Sequence, residues 1–272
     1  MEHLHLTTDL ISKVDEVEYL YTQDRMNVIR DYRKEPECVR YIERENLRGV
    51  MFPSLPNPFF NRVLLSGIVL PNVLGEVLDA YQATGAALDL EISPGALNEE
   101  MAKLLQARGF AHTKFLPVFL KPVHELTTQR SDSLVVKQVS SPEELKHFQE
   151  LYVTGHKIDP NFAPTLKTYI SGWNRFSDWR LYIACLGEQP IGCAVLYTKN
   201  SIAYLADATT PEPFRGRGAQ TALLLSRFKE AKTLGADLMF SRADFGSISQ
   251  RNMERQGLRT SYARAFWTKL KD

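Results

Sequence analysis

The chain has little that would tie it to a membrane, an oxidising compartment or a polyanion. Its 272 residues include no run approaching the ~18 apolar residues of a membrane helix, and the start lacks a basic segment followed by an apolar one. Three cysteines are too few for a disulfide framework, and no CxxC or HxxxH spacing offers a metal cage. The 33 Lys and Arg against 32 Asp and Glu give a net charge of +1, too small to attract nucleic acid or an anionic surface. We therefore expect a cytoplasmic protein that uses no metal and binds neither nucleic acid nor membrane.

The composition, 44% hydrophobic and 24% charged, is that of an ordinary globular chain. At roughly 150 residues per domain, the length allows one large domain or two of middling size. The segment 124–133 is polar and without periodicity between two apolar runs, which is typical of a linker. The sequence therefore predicts two domains, residues 1–126 and residues 134–272.

The two halves resemble each other at an offset of about 148 to 150 residues. YQATGAALDLEI aligns with AKTLGADLMFSR, and KLLQARGFAHTKFLPVFLKP aligns with RNMERQGLRTSYARAFWTKL. In each half one helix ends at a glycine before an apolar strand, and a second helix ends at another glycine before the last strand; these glycines are Gly85, Gly109, Gly235 and Gly257. The pattern favours a duplication.

The second half predicts the element order β-α-α-β-β-β-α-β-α-β, an α/β fold with a mixed sheet. Ser141 and Pro142 are typical of a helix start, and Ser247 with Gln250 predicts a capping box. A longer helix with one apolar face is expected between Gly218 and Gly235.

Arg215, Gly216, Arg217 and Gly218 come directly before this longer helix. Free main-chain amides at a helix start attract anions, and glycine lets a phosphate oxygen approach the backbone. Thr221 stands where a dinucleotide fingerprint needs its third glycine, and the chain has no Gly-Lys-Ser/Thr for a Walker A loop. The segment therefore predicts a pyrophosphate site of another type.

The segment resembles the pyrophosphate loop of the GNAT superfamily of acetyl-CoA-dependent N-acetyltransferases, whose pattern is Arg/Gln-x-x-Gly-x-Gly/Ala. Arg215 and Gly218 match it, and Gln220 departs from its last position. RGRGAQTALL followed by GSISQRN and Gly257 is similar to one GNAT branch in which glutamine is usual. The first half, with SLPNPFFNRVL, resembles a degenerate copy that lacks the loop. The resemblance implies two GNAT-like domains, each a mixed, mostly antiparallel sheet flanked by helices, of which only the second binds acetyl-CoA.

By the same resemblance acetyl-CoA is the co-substrate, and its pantetheine arm slots between splayed strands. The residues implied in binding it are Ala208, Thr209, Thr210, Arg215, Gly216, Arg217, Gly218, Ala219, Gln220, Thr221, Ser249 and Asn252.

The resemblance also implies direct attack of an amine on the thioester in a ternary complex, which needs a base and an acid for the leaving thiolate. The tyrosine that often serves as this acid is Met253 here. Tyr262, Tyr169 or Ser249 could replace it, or the thiolate could leave unaided. Asp207 is the candidate base, although strand alternation alone does not say whether it faces the acceptor. His156 and Asp159 are alternatives.

The predicted function is transfer of an acetyl group to a primary amine, and we expect that amine to belong to a small molecule rather than to a protein. The alternative is an acyl-CoA-binding sensor or scaffold with little or no turnover, because Met253 cannot donate a proton. A monomer or a homodimer is expected. Either an acceptor pocket or simple packing would explain the apolar, proline-rich segment around Asn61 and Arg62, whose members are Phe52, Pro53, Pro56, Pro58, Phe59 and Phe60.

Overall fold

The computed structural model describes residues 4–55, 60–125 and 134–270, and it divides into two compact units. The first unit holds the chain up to Val118, the short segment Ala243–Phe245 and the chain from Ser261 onward. The second unit holds Phe119–Arg242 and Gly246–Thr260. The sequence boundary assigns the last strand to the second domain, whereas this strand belongs to the first unit from Ser261 on, because hydrophobic periodicity identifies a strand but not its sheet.

The seven helices assigned in the described chain are α1 (Thr8–Arg33), α2 (Pro71–Thr84), α3 (Glu99–Ala107), α4 (Pro142–Gly155), α5 (Ala163–Ser171), α6 (Ala219–Thr233) and α7 (Ile248–Arg255). The strands are β1 (Arg40–Arg44), β2 (Leu47–Met51), β3 (Arg62–Leu65), β4 (Asp89–Ile92), β5 (Phe110–Pro122), β6 (Val135–Gln138), β7 (Trp179–Leu186), β8 (Gln189–Lys199), β9 (Ile202–Thr209), β10 (Leu238–Arg242) and β11 (Arg259–Lys269).

The sheet of the first unit has the strand order β1-β2-β3-β4-β11-β5. Strands β3 and β4 are parallel, whereas β1 with β2, β2 with β3 and β4 with β11 are antiparallel. Helices α2 and α3 cover it with a core that includes Leu74, Leu78, Met101 and Leu105. Helix α1 begins at the N-cap Thr7, whose hydroxyl accepts a hydrogen bond from the Leu10 amide.

A buried charged cluster joins α1 to this sheet, and every member belongs to the first unit. Arg264 on β11 is fully buried and ion-paired with Asp15, Glu18 and Glu91. Arg62 on β3 adds ion pairs to Glu18 at 3.2 Å and to Glu91 at 3.1 Å. Burial alone would lower the pKa of Arg264, but the charges of Asp15 and Glu18 outweigh it and raise that pKa well above its usual range. The cluster therefore ties the last strand to the first unit through charge.

The second unit orders its strands β5-β10-β9-β8-β7-β6, with β9 and β10 parallel and β6 to β9 antiparallel. The predicted element order is confirmed, and so is the α/β class with mixed, mostly antiparallel sheets. Ser141 caps α4 in a capping box with Glu144. Cys185 and Cys193 are free and buried. In the described part of the chain, no helix is both long and apolar enough to cross a membrane.

Candidate functional site

A cavity of about 630 Å³ lies at the start of α6 in the second unit. Its lining combines the end of β9, the loop before α6, the first turn of α6 and one face of α7. The residues are Ala208, Thr210, Phe214, Arg215, Gly216, Gly218, Ala219, Gln220, Thr221, Ile248, Ser249, Asn252 and Arg255. Ten of them are in the set that the sequence predicts for the cofactor, so the structure brings most of that set together.

The loop before α6 leaves the helix start open to an anion. Gly216 and Gly218 have φ angles of 76° and 83°, the left-handed region that glycine adopts without strain. Gly218 is the N-cap and offers no side chain to the first amides of α6. The amides of Ala219, Gln220 and Thr221 have no carbonyl four residues back within the helix, so they are available to a bound group. The arrangement fits the pyrophosphate predicted there.

Thr210 ties the loop to the end of β9. Its hydroxyl accepts a hydrogen bond from Gln220 Nε2 at 3.0 Å, and its carbonyl accepts one from Arg215 Nε at 3.4 Å. Gly192 on β8 allows this packing, because an added Cβ would lie 3.1 Å from the Thr210 hydroxyl and 3.2 Å from the Thr209 carbonyl. Gln220, which departs from the family pattern, therefore acts as a brace of the loop.

Two residues of the predicted cofactor set lie outside the cavity lining. Thr209 is buried, and a Cβ added at Gly155 would meet its hydroxyl at 2.4 Å, so its side chain points toward the end of α4. Arg217 is exposed, with its guanidinium 6.0 Å from the centre of the Phe214 ring. Neither position contradicts a main-chain contact with the cofactor.

Strand β9, whose end lines the cavity, extends beyond its register with β10. The parallel register of these strands covers Ile202 to Tyr204, although β9 itself extends to Thr209. Beyond this register the side-chain hydroxyl of Ser241 donates to the Leu205 carbonyl at 2.8 Å. The edge of β9 from Leu205 onward is therefore the segment along which an extended ligand arm can pair.

Helix α7 supplies three further contacts on one face, Ile248, Asn252 and Arg255, spaced by four and three residues. Arg255 donates to Asn252 Oδ1 at 3.4 Å. Ser249 also faces the cavity, whereas Met253 is buried and absent from the cavity lining. Ile248, Arg255 and Phe214 are lining residues that the sequence reasoning missed. Helical spacing from Asn252 would have indicated the first two.

Asp207 lies in a bulge of β9 that breaks the simple alternation of the strand. The residue has φ 45°, and the register with β8 shifts between Cys193 and Val195. Its carboxylate accepts a hydrogen bond from the Tyr152 hydroxyl of α4 at 3.0 Å. Asp207 is therefore turned toward α4, while the next residue, Ala208, lines the cavity.

Tyr262, a candidate acid in the sequence analysis, lies in the first unit and is absent from the cavity lining. Its hydroxyl donates to Asp15 at 3.3 Å, and burial raises its pKa above the ordinary tyrosine range. The prediction missed this because the last strand joins the buried charged cluster.

The other candidates take structural positions. His156 ends α4 with its ring centre 4.4 Å from that of Tyr152, and Asp159 accepts a hydrogen bond from the Asn161 amide. Tyr169 is buried.

The segment considered for an acceptor pocket makes hydrogen bonds, ion pairs and packing contacts within the first unit. Asn61 Oδ1 accepts from the Phe52 amide at 2.7 Å, and the Asn61 amide group donates to the Leu55 carbonyl. Arg62 belongs to the buried charged cluster. Phe52 and Phe60 are buried, with ring centres 6.2 Å apart, and Pro53 is half-buried. These contacts favour packing over an open pocket, while Pro56, Pro58 and Phe59 lie outside the described residues.

Among the described residues, no group of three or more His, Cys, Asp and Glu is arranged to hold a metal ion. No family model matches the chain, and no curated protein matches it.

Solved structures do match the fold. A GCN5-related N-acetyltransferase from Kribbella flavida is 15% identical, covers 91% of this chain and 96% of its own, and has a TM-score of 0.65. A tandem GNAT protein from the clavulanic acid biosynthesis pathway is 12% identical, covers 82% of this chain and 77% of its own, and has a TM-score of 0.59. A conserved protein of unknown function from Staphylococcus epidermidis is 15% identical, covers 84% and 92%, and has a TM-score of 0.63.

Proposed function

The chain has the tandem fold of the GCN5-related N-acetyltransferases, and on that premise we propose that its second unit transfers an acetyl group from acetyl-CoA to a primary amine. One observation carries the proposal: the uncapped start of α6 and the free edge of β9 open into the same cavity. An anion site beside a strand edge matches a ligand with a pyrophosphate at one end and an extended amide-containing arm at the other.

In this proposal the pyrophosphate binds the amides of Ala219 to Thr221, with Arg215 as a charged partner at the cavity wall. The pantetheine amides pair with β9 near Ala208, and Asn252 on α7 is a further polar contact. The acceptor is a small-molecule amine, and the second unit alone holds the cofactor.

Catalysis places the amine beside the thioester, so proximity supplies much of the rate. The neutral amine attacks the acetyl carbonyl, its proton passes to the Asp207 carboxylate, and the thiolate leaves with the electrons of the C–S bond. Ser249 is the polar side chain of the cavity that could donate to the leaving thiolate. A thiol pKa near ~8.5 also lets that thiolate leave without an acid.

A second function, an acyl-CoA-binding sensor or scaffold without turnover, is favoured by one observation. Met253 is buried where a proton donor is expected, and Tyr262 is engaged with Asp15. Binding and turnover must therefore be measured separately.

The experiment is a calorimetric titration of the full chain with acetyl-CoA, followed by measurement of thiol release across a panel of small primary amines. We expect one binding site per chain, a raised melting temperature with acetyl-CoA but not with NAD or ATP, and amine-dependent release. Asp207→Asn should bind acetyl-CoA normally and release thiol at least tenfold more slowly. Binding with no amine-dependent release would support the sensor, and no binding at saturating acetyl-CoA would refute both functions.

A further inference from the structure

Arg227 is a cation enclosed in the second unit. It lies on α6, is 1% exposed and ranks among the largest fully buried side chains. Nε donates to the Leu223 carbonyl at 3.1 Å, and one terminal nitrogen donates to the carbonyls of Val195 and Ala206 at 3.1 and 3.2 Å. These acceptors are neutral, and a buried charge costs free energy that such contacts offset only in part. The position therefore needs an explanation beyond packing.

The bulge of β9 explains why donors are needed there. Val195 pairs with Ala206 and Cys193 with Thr209, so two steps along β8 are matched by three along β9. The extra residue is Asp207. Arg227 donates to both carbonyls of the last regular pair before the bulge and so links α6 to the two strands at that point.

In the first unit a neutral side chain contacts a regular strand pair, one without a bulge. Tyr81 on α2 has its hydroxyl 2.7 Å from the Val50 carbonyl and 3.2 Å from the Arg62 carbonyl, and Val50 pairs with Arg62 across β2 and β3. A neutral hydroxyl on a helix is thus sufficient to hold a strand pair of this kind. The positive charge of Arg227 is additional to the hydrogen bonding.

Burial lowers the pKa of Arg227, and Tyr182, Cys193 and Asp207, in that order of size, raise it. Of these three groups only Asp207, which follows Ala206 in the chain, is a carboxylate. Further groups near Asp207 include the Tyr152 hydroxyl of α4 and the Cys193 thiol of β8, and His156 lies against Tyr152. Burial holds the pKa of Arg227 near 10, so the guanidinium stays protonated at neutral pH, while burial and Asp207 raise the pKa of the Cys193 thiol. Arg227 is therefore the cation that favours the ionised form of this carboxylate.

We propose that Arg227 is a positioning residue for Asp207, holding the bulge that turns its carboxylate toward α4 and keeping that carboxylate ionised. The inference deepens the proposed function and rests on it only for the last step, in which the ionised Asp207 accepts the amine proton.

The test is a titration of the Asp207 carboxyl carbon by NMR in the full chain, with the signal assigned by its loss in Asp207→Asn. Arg227→Gln keeps an amide donor, on a shorter side chain, and removes the charge, whereas Arg227→Lys keeps the charge. We expect the pKa of Asp207 to rise by about one unit in the glutamine variant and to stay close to the wild-type value in the lysine variant. An unchanged pKa in Arg227→Gln would overturn the proposal.

This readout needs no turnover, so a wild-type chain that transfers no acetyl group would refute the proposed function and leave the titration as the test of Arg227. If Arg227→Gln does not fold, Arg227→Met fills the site without the charge and without the donors, and an unchanged Asp207 pKa in that variant would likewise overturn the proposal. Tyr81→Phe is the matched control, because it removes the corresponding donor in the first unit. It should leave the Asp207 titration unchanged.

In an active enzyme the acid limb of kcat/KM should move to higher pH in Arg227→Gln and stay in place in Arg227→Lys. KM for acetyl-CoA should change by less than about twofold in both, since Arg227 is absent from the cavity lining. Equal losses in the two variants with an unmoved acid limb would mean a structural role alone and would contradict the proposal.

Discussion

The two units use the same strand-helix-strand arrangement and differ at the edge where a ligand would enter. In the first unit β3 and β4 pair along four positions, from Arg62 with Asp89 to Leu65 with Ile92, and the Ser93 amide continues the ladder to the Leu65 carbonyl at 2.9 Å. In the second unit the β9 and β10 register ends at Tyr204. Strand β3 is therefore paired with β4 along its whole length in the first unit, whereas in the second unit β9 extends beyond its register with β10.

The helix that connects the two strands of each pair also differs between the units. Helix α2 begins with Leu70 as N-cap and Pro71 as its first residue, which removes one amide and adds an apolar side chain. Helix α6 begins at Gly218 after two arginines. In the proposed function the shared architecture binds an anion only where the strand pair opens and the helix N-cap is a glycine, so the two units differ in the site and not in the fold.

Replacing Arg264 with methionine should have the largest effect, because it leaves Asp15, Glu18 and Glu91 buried beside one another with Arg62 as the remaining cation. Removing one partner from a buried ion-pair group costs about 3–5 kcal/mol. Hydrogen exchange of amides in β4 and β11 should therefore accelerate by at least a hundredfold. Arg264→Lys should lose less, and a cost below about 1 kcal/mol in Arg264→Met would show that the cluster does not hold the first unit.

Gly218→Val tests the open helix start of the second unit. Valine is strained at φ 83°, and its side chain would crowd the amides proposed to bind the pyrophosphate. Calorimetry should give an acetyl-CoA affinity at least about a hundredfold weaker, roughly 2.7 kcal/mol. Gly85→Val is the matched control, since Gly85 has φ 68° and open space around it in the first unit. An equal loss of affinity in the control would assign the effect to general destabilisation.

Much of the second unit could be predicted from sequence because its signals are local. The proline and serine before α4, the glycines around α6 and the alternating apolar strands act within a few residues. The Arg215 to Gly218 loop could be identified for the same reason.

Features that depend on contacts between distant parts of the chain could not be predicted from the sequence. The bulge at Asp207 arises from the register between two strands, and the position of Tyr262 depends on which sheet accepts β11. Ten residues of the cavity lining followed from one local motif and one resemblance, and helical spacing from Asn252 would have added Ile248 and Arg255.

Arg215 and Arg217 should contribute differently to acetyl-CoA binding, because their positions relative to the cavity differ. Arg215 lines the cavity and Arg217 lies against Phe214 outside the lining. A charge-assisted contact to phosphate that is partly solvated is worth about 1.4 kcal/mol. Arg215→Ala should weaken acetyl-CoA binding about tenfold and Arg217→Ala about threefold. The affinity of Arg217→Ala should depend more strongly on salt concentration than that of Arg215→Ala. A larger loss in Arg217→Ala would assign the phosphate contact to Arg217.

The smallest expected effect concerns Thr210, which braces the loop through its side chain. Thr210→Val keeps the volume and the main-chain carbonyl that accepts from Arg215, but removes the acceptor for Gln220 Nε2. Losing one such neutral hydrogen bond costs about 0.5–1.5 kcal/mol, and part of that cost should appear as an about twofold weaker affinity for acetyl-CoA. Thr210→Ser keeps the hydroxyl and should bind like the wild type.

Ser66→Ala, just past β3 in the first unit, removes a hydroxyl at the corresponding strand end and should leave the affinity unchanged. If Thr210→Val binds acetyl-CoA as tightly as the serine variant does, the loop is held by its backbone alone, and Gln220 is a neutral departure from the family pattern.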